Sequence, residues 1–270
     1  MVHIRLLCLS WALALTPGLS SSQRLWQGES GGFQITWSSA ALAARQSGGA
    51  PIAFDAVGLS KAKWQNLTSG GDAEKYSAEF DYKLLSVVGP IASIEYGEEC
   101  DCGGAHPMEF TGFSAFNLSK SDPQKPVSAS LLDYFSPEVL YAALMNNEVV
   151  QAILHERKPP SFSALSDILE KDGNYTHSDC EYAFGSDFVQ HFAFYDARPA
   201  VVDVRISLSH AVETCRGSFI QVGLELPVTD ATLKTSLAEA KLGRHGILMK
   251  ELRRKVGPDS ATTVSFPVPR

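Results

Sequence analysis

The residues able to do chemistry crowd one stretch of this 270-residue chain, Ile94 to Leu118, which reads IEYGEECDCGGAHPMEFTGFSAFNL. Glu95, Glu98, Glu99 and Asp101 are four carboxylates within seven positions. Paired carboxylates serve as general acid and base on glycosidic bonds, but only when set across a sugar cleft, which proximity in sequence does not establish. Cys100, Cys102 and His106, with His177 and Cys180 further on, are the ligand types of a soft metal site, yet their spacing matches no standard zinc pattern. A catalytic His106 would need a nucleophile or metal partner, and the sequence holds neither a Gly-x-Ser-x-Gly elbow nor a His-Glu-x-x-His helix. The expectation is therefore a solvated acidic loop, with His106 hydrogen-bonded so as to order the turn, and with no metal and no cofactor. His177, His191 and His210 stand isolated and read as surface or core histidines.

The N-terminus bears on how the cysteines are used. His3 and Arg5 precede the apolar run Leu6 to Leu15, and Pro17-Gly18 breaks it before Ser20, Ser21 and Ser22. This predicts a signal peptide over residues 1–22 and a periplasmic or secreted mature chain. The run is short for a membrane span and no later window reaches that length, so no transmembrane segment is expected in the mature protein. Cys8 leaves with the signal, and Cys100, Cys102, Cys180 and Cys215 remain, an even number in an oxidising compartment. A bond between Cys100 and Cys102 would close a very small ring. The expectation is two long-range disulfides, each joining one of these two cysteines to Cys180 or Cys215.

With 44% hydrophobic and 20% charged residues the composition is that of a globular chain. The net charge is −7, and −8 once Arg5 is removed, which argues against nucleic acid or an anionic membrane as partner and admits a cationic protein. The sequons Asn66-Leu67-Thr68, Asn117-Leu118-Ser119 and Asn174-Tyr175-Thr176 are short motifs of low specificity.

The elements that must position the acidic stretch come from periodicity. Gln23 to Gly32 reads as a flexible lead-in and Phe33 to Trp37 as a short strand. Tyr76, Ala78, Phe80, Tyr82 and Leu84 alternate with Lys75, Ser77, Glu79, Asp81 and Lys83, which predicts an antiparallel strand with one wet face. Gly89-Pro90 turns into a strand over Ile91–Tyr96. Gly103, Gly104 and Pro107 mark a structural turn, the hinge, before a strand over Met108–Leu118 in which Phe113, beside Gly112, marks a bulge or a second packed surface. Ser136-Pro137-Glu138 starts a helix extending to Leu154, and a second runs from Phe162 to Gly173. Asp187–Tyr195, Ala200–Leu208 and Phe219–Leu226 read as an antiparallel meander, followed by a helix from Asp230 to Leu242 capped by Thr229. The fold class is α+β: antiparallel sheets with two central helices packed on one face and a further C-terminal helix. Residues 33–270 form a single domain with a C-terminal extension.

Gly103-Gly104-Ala105-His106-Pro107, the strand ending in Phe116-Asn117-Leu118, and Leu131-Leu132-Asp133-Tyr134-Phe135 resemble the extracytoplasmic domain of the RsiV-type anti-sigma factors, a family that binds lysozyme. The same domain recurs beside peptidoglycan deacetylase domains. His210 stands where the family has a Tyr, the four cysteines depart from the family pattern, and the deacetylase metal motif is missing. The resemblance implies an exported, non-enzymatic module of the bacterial envelope that binds a basic protein such as lysozyme, or a peptidoglycan fragment. Glu98, Glu99, Asp101 and His106 are the candidate contacts. The alternative is a cell-wall hydrolase using the hinge carboxylates and His106.

Overall fold

A computed structural model describes residues 23–48, 52–69, 76–103, 105–121, 126–211, 215–216 and 218–266, and the proposed signal peptide lies outside them. The segment expected as a flexible lead-in is instead strand β1 (Arg24–Ser30), paired antiparallel with β2 (Phe33–Ser38). Its polar composition hides it, because an edge strand bonds through its backbone and here half-buries Leu25 and Trp26 and fully buries only Ser30. With β3 (Leu42–Gln46) and β4 (Ile52–Asp55) these strands form a sheet in the order β1-β2-β3-β4. The Asp55 side chain then accepts the Val57 amide and starts helix α1 (Ala56–Thr68).

The alternating strand is β5 (Ser77–Val88), followed by β6 (Ile91–Asp101) and β7 (Met108–Asn117). Phe80, Tyr82 and Leu84 share their face with Ile94 and Tyr96 and pack on Ile35, Trp37, Leu42 and Phe54 of the first sheet, making one core. The β5–β6 register slips once, between Leu84 and Ser86, whereas β6–β7 runs without a slip. Gly112 therefore marks no bulge; Phe113 faces a second packed surface, with Leu85, Ala193 and Met249.

Ser136 and Pro137 start α2 (Pro137–Met145) as expected, but the helix predicted to reach Leu154 is divided into α2 and α3 (Glu148–Leu154). Asn147 divides it: its Oδ1 accepts the Val149 and Val150 amides, the use of a short polar side chain that competes with helix continuation. Its Nδ2 donates to the Gly223 carbonyl at 3.0 Å. Helix α4 (Phe162–Asp172) follows with Ser161 as its cap. Three central helices thus stand where two were expected.

The small strands β8 (Asn174–His177) and β9 (Cys180–Ala183) precede the meander β10 (Phe192–Arg198), β11 (Val201–His210) and β12 (Phe219–Pro227). Val202, Val204, Ile206 and Leu224 meet Leu140, Leu144, Val150, Leu165 and Leu169 of the helices in the larger core. Helix α5 (Ala231–Leu242) takes its cap from Asp230, not Thr229, and ends at Gly243 with φ 64°. Helix α6 (Met249–Lys255) and β13 (Thr262–Phe266) follow. The expected C-terminal extension is part of the central sheet, since β13 pairs with β5 to give the order β13-β5-β6-β7. Every pairing between these strands is antiparallel, and the class is α+β.

Strand β7 lies at the sheet edge, and its outward backbone groups are met by side chains and loops rather than by another strand. The Phe113 amide donates to Ser207 Oγ at 2.8 Å, and the Phe113 carbonyl lies 2.9 Å from His191 Nδ1. Ser209 Oγ donates to the Thr111 carbonyl at 3.0 Å and Arg216 Nη1 to the Pro107 carbonyl at 2.9 Å. Further along, the Ala129 amide donates to Ala115 O and the Asn117 amide to Val127 O. Across the same seam the Phe194 amide donates to Ser86 Oγ at 3.2 Å.

The cysteines pair Cys100 with Cys102 and Cys180 with Cys215, correcting the expectation of two bridges between the hinge and the C-terminal half. Residues i and i+2 of a strand share a face, and the chain leaves β6 at Asp101, so the Cα atoms of Cys100 and Cys102 come within 5.3 Å. Cys180 and Cys215 belong to the second sheet and its loop, with Cα atoms 5.8 Å apart. The hinge is tied to the C-terminal half by the Arg216 hydrogen bond instead. On a chain-entropy basis, a bridge between residues 35 apart stabilises by about 4 kcal/mol and one between residues 2 apart by about 1 kcal/mol. Chemical denaturation should therefore show Cys180→Ala/Cys215→Ala to be much less stable than Cys100→Ala/Cys102→Ala, and equal losses would contradict these pairings.

Candidate functional site

Strand alternation divides the hinge carboxylates between two faces of the central sheet. Glu95, Glu99 and Asp101 share the outer face, and Tyr96, Glu98 and Cys100 the inner one. Glu98 is engaged internally: its Oε2 lies 3.2 Å from Lys63 Nζ and accepts the Tyr96 hydroxyl, while the Lys63 ammonium stands 3.9 Å above the Tyr96 ring. Burial, then the bond to Glu98, push the Tyr96 hydroxyl far above the ordinary phenol value. Burial also raises Tyr82, to about 12, against the opposing effect of its hydrogen bond with Ser60 at 3.0 Å. Both tyrosines stay neutral hydroxyls under α1.

The outer face gathers more acid than the hinge alone supplies. Glu79 of β5 stands directly opposite Glu99 of β6, and Glu99 directly opposite Glu109 of β7. Asp81 lies beside Gly97, and Asp101 opposite Ser77. From β13, Ser265 Oγ donates to Glu79 Oε2 at 3.1 Å and the Thr263 hydroxyl to Asp81. Two shallow depressions flank this row. One, of about 130 Å³, is lined by Glu79, Asp81, Glu99, Glu109 and Thr111, and the other, of about 270 Å³, by Glu79, Glu99, Asp101, Ser265 and Phe266. Among the described residues none of these five carboxylates forms an ion pair. Further along this face Lys83 meets Glu95 at 3.0 Å.

Gly103 takes φ 81°, and a Cβ there would come within 3.0 Å of the Tyr76 ring, so the turn at this position requires glycine. Gly104 lies outside the described residues. Pro107 holds the turn through its carbonyl bond to Arg216. His106 is exposed and makes no hydrogen bond among the described residues, so it does not order the turn. The expected contacts Glu99 and Asp101 lie on the acidic face, whereas Glu98 borders the smaller depression but has its carboxylate engaged by Lys63 and Tyr96. Sequence reasoning missed Glu79, Asp81 and Glu109, which join the site only through the strand register. Among the described residues no group of His, Cys, Asp and Glu has the arrangement of a metal site, and no helix is long and apolar enough to cross a membrane.

A separate charged cluster anchors the helices. The Asp196 carboxylate, 11% exposed, is shared by Lys241 of α5 and Lys250 of α6. Burial alone would raise this carboxyl, but the two ammoniums and the Ala197 amide prevail and hold it at about 2.

No protein-family model matches the chain, and no curated protein or solved structure does either.

Two outcomes follow from these charges. Like charges directly opposite on neighbouring strands repel, so Glu99→Gln should raise stability by roughly 0.5 kcal/mol in urea denaturation; a loss would show that the row is neutralised. A carboxyl whose folded pKa lies below its unfolded value of about 3.9 adds stability above that value and loses it as pH falls toward about 2. Asp196→Asn should thus lower the melting temperature at pH 7 and flatten its decline between about pH 4 and pH 2.

Proposed function

We propose that this protein is an exported, non-enzymatic binding module of the bacterial envelope whose acidic sheet face receives a basic protein of the lysozyme kind. The observation that carries the reading is the row Glu79, Glu99 and Glu109 on three adjacent strands, flanked by Asp81 and Asp101, with no cation paired to it among the described residues. A fold loses stability by setting carboxylates opposite one another, and a cationic partner would recover that loss on binding. Export accords with two cysteine pairs at disulfide distance and with the apolar N-terminal run. The resemblance of Gly103 to Pro107 to the RsiV-type domain favours the same class of partner.

The chemistry of the face is recognition of charge. Ser265 and Thr263 hold Glu79 and Asp81 from one side, which leaves Glu99, Asp101 and Glu109 toward the hinge for lysine and arginine side chains. Opposite charge across such a surface steers encounter and is screened by salt.

Binding of a lysozyme to the immobilised protein should weaken as ionic strength rises, and Glu99→Gln/Glu109→Gln should slow association more than it speeds release. Another cationic protein of similar charge should compete poorly; equal binding of the two would remove a specific lysozyme-like partner. Release of soluble fragments from purified peptidoglycan, lost in His106→Ala, would overturn the non-enzymatic reading.

A further inference from the structure

Away from the acidic face, the turn between β10 and β11, the residue after β12 and the outer side of α5 enclose a groove of about 460 Å³. Small-molecule sites occupy ~300–1,000 Å³. The floor is Ala197, Pro199, Val228 and Leu237, and Leu242 stands at the mouth, 61% exposed, the most exposed large hydrophobic side chain among the described residues. The ionisable side chains of the lining are all cationic, Arg198, Lys234 and Lys241, in a chain of net charge −7. Arg198 is held by Asp203 and Glu225, each at 2.8 Å, a trio with one negative charge in excess at the β10–β11 end of the groove. Lys241 shares the single carboxylate of Asp196 with Lys250, which leaves that cluster one positive charge in excess. Lys234 forms no ion pair among the described residues. An apolar floor and surplus positive charge thus lie along one helix face.

The polar groups available narrow the occupant. Helix α5 satisfies its own backbone, and the amide of Val228 is spent on the Ala200 carbonyl at 2.9 Å. The lining offers little to the amides of a peptide, which would lose their hydrogen bonds to water on entering. An acyl chain has no such groups to satisfy. We propose that this groove binds a single-chain fatty-acid carboxylate, its chain along Val228, Leu237 and Leu242 and its head group on Lys234 and Lys241. The site uses other elements than the acidic face and stands independently of the protein-binding reading.

Titration calorimetry with octanoate, nonanoate and decanoate, each below its micellar concentration, tests the site. Affinity should rise about fourfold per added methylene. Lys234→Gln should weaken decanoate by about threefold and strengthen decyltrimethylammonium, itself the weaker ligand of the unaltered protein. Ala238→Trp, which fills the groove from an exposed helical position, should abolish decanoate binding at an unchanged melting temperature. Absence of decanoate binding, equal affinity for decanoate and the quaternary ammonium, or undiminished binding by Ala238→Trp would each overturn the proposal.

Discussion

The fold depends on how the free edge of β7 is closed. A buried edge strand carries amides and carbonyls that must find partners, and a second sheet packing against it would ordinarily leave them stranded. Here the polar side of β11 supplies two of those partners, Ser207 and Ser209, which reach Phe113 and Thr111, and His191, just before β10, takes the Phe113 carbonyl. The opposite side of β11 carries Val202, Val204, Ile206 and Leu208 into the helical core. One strand thus joins a wet-type bonding surface to a dry one. Its alternation, which a reader of the sequence would assign to solvent on one side, has its polar face turned onto a neighbouring sheet.

The same division explains what could be read in advance. Strand β5 was legible because Glu79, Asp81 and Lys83 lie on one face and Phe80, Tyr82 and Leu84 on the other. Helix α1 was not: it buries only Ala56 and Ser60 fully and contains Gly58, so it has no strong apolar stripe. The four-residue strands β8 and β9 and the polar β1 offered no period at all. Asn147 was visible as a residue, but its choice of the Gly223 carbonyl and of the α3 cap is a tertiary event.

For the acidic face the missing information was a single residue of register. Counting outward from the hairpin at Gly89-Pro90, where Val88 faces Ile91, would set Glu79 opposite Cys100. The bulge at Leu85 shifts the pairing by one, and Glu79 meets Glu99. Leu85 is buried with Phe113, Ala193 and Met249, so packing at the seam decides which charges face one another at the far end of the sheet. The hinge carboxylates were legible as residues. Their separation into Glu98 beneath α1 and Glu99 with Asp101 outside followed from alternation, but the company they keep did not.

Strand β13 has one further consequence. Ser265 meets Glu79 across 186 positions of sequence, so the central sheet is completed by a segment made long after β5. Until then the β13 side of β5 is a bare strand edge, and Trp64 lacks the Phe266 ring that stacks on it at 5.3 Å. Contacts of such separation form slowly, because the loop must be closed before the pairing rewards it. A chain threaded through a membrane pore from its N-terminus would therefore keep this sheet open until β13 had crossed, and the sheet would be completed on the far side.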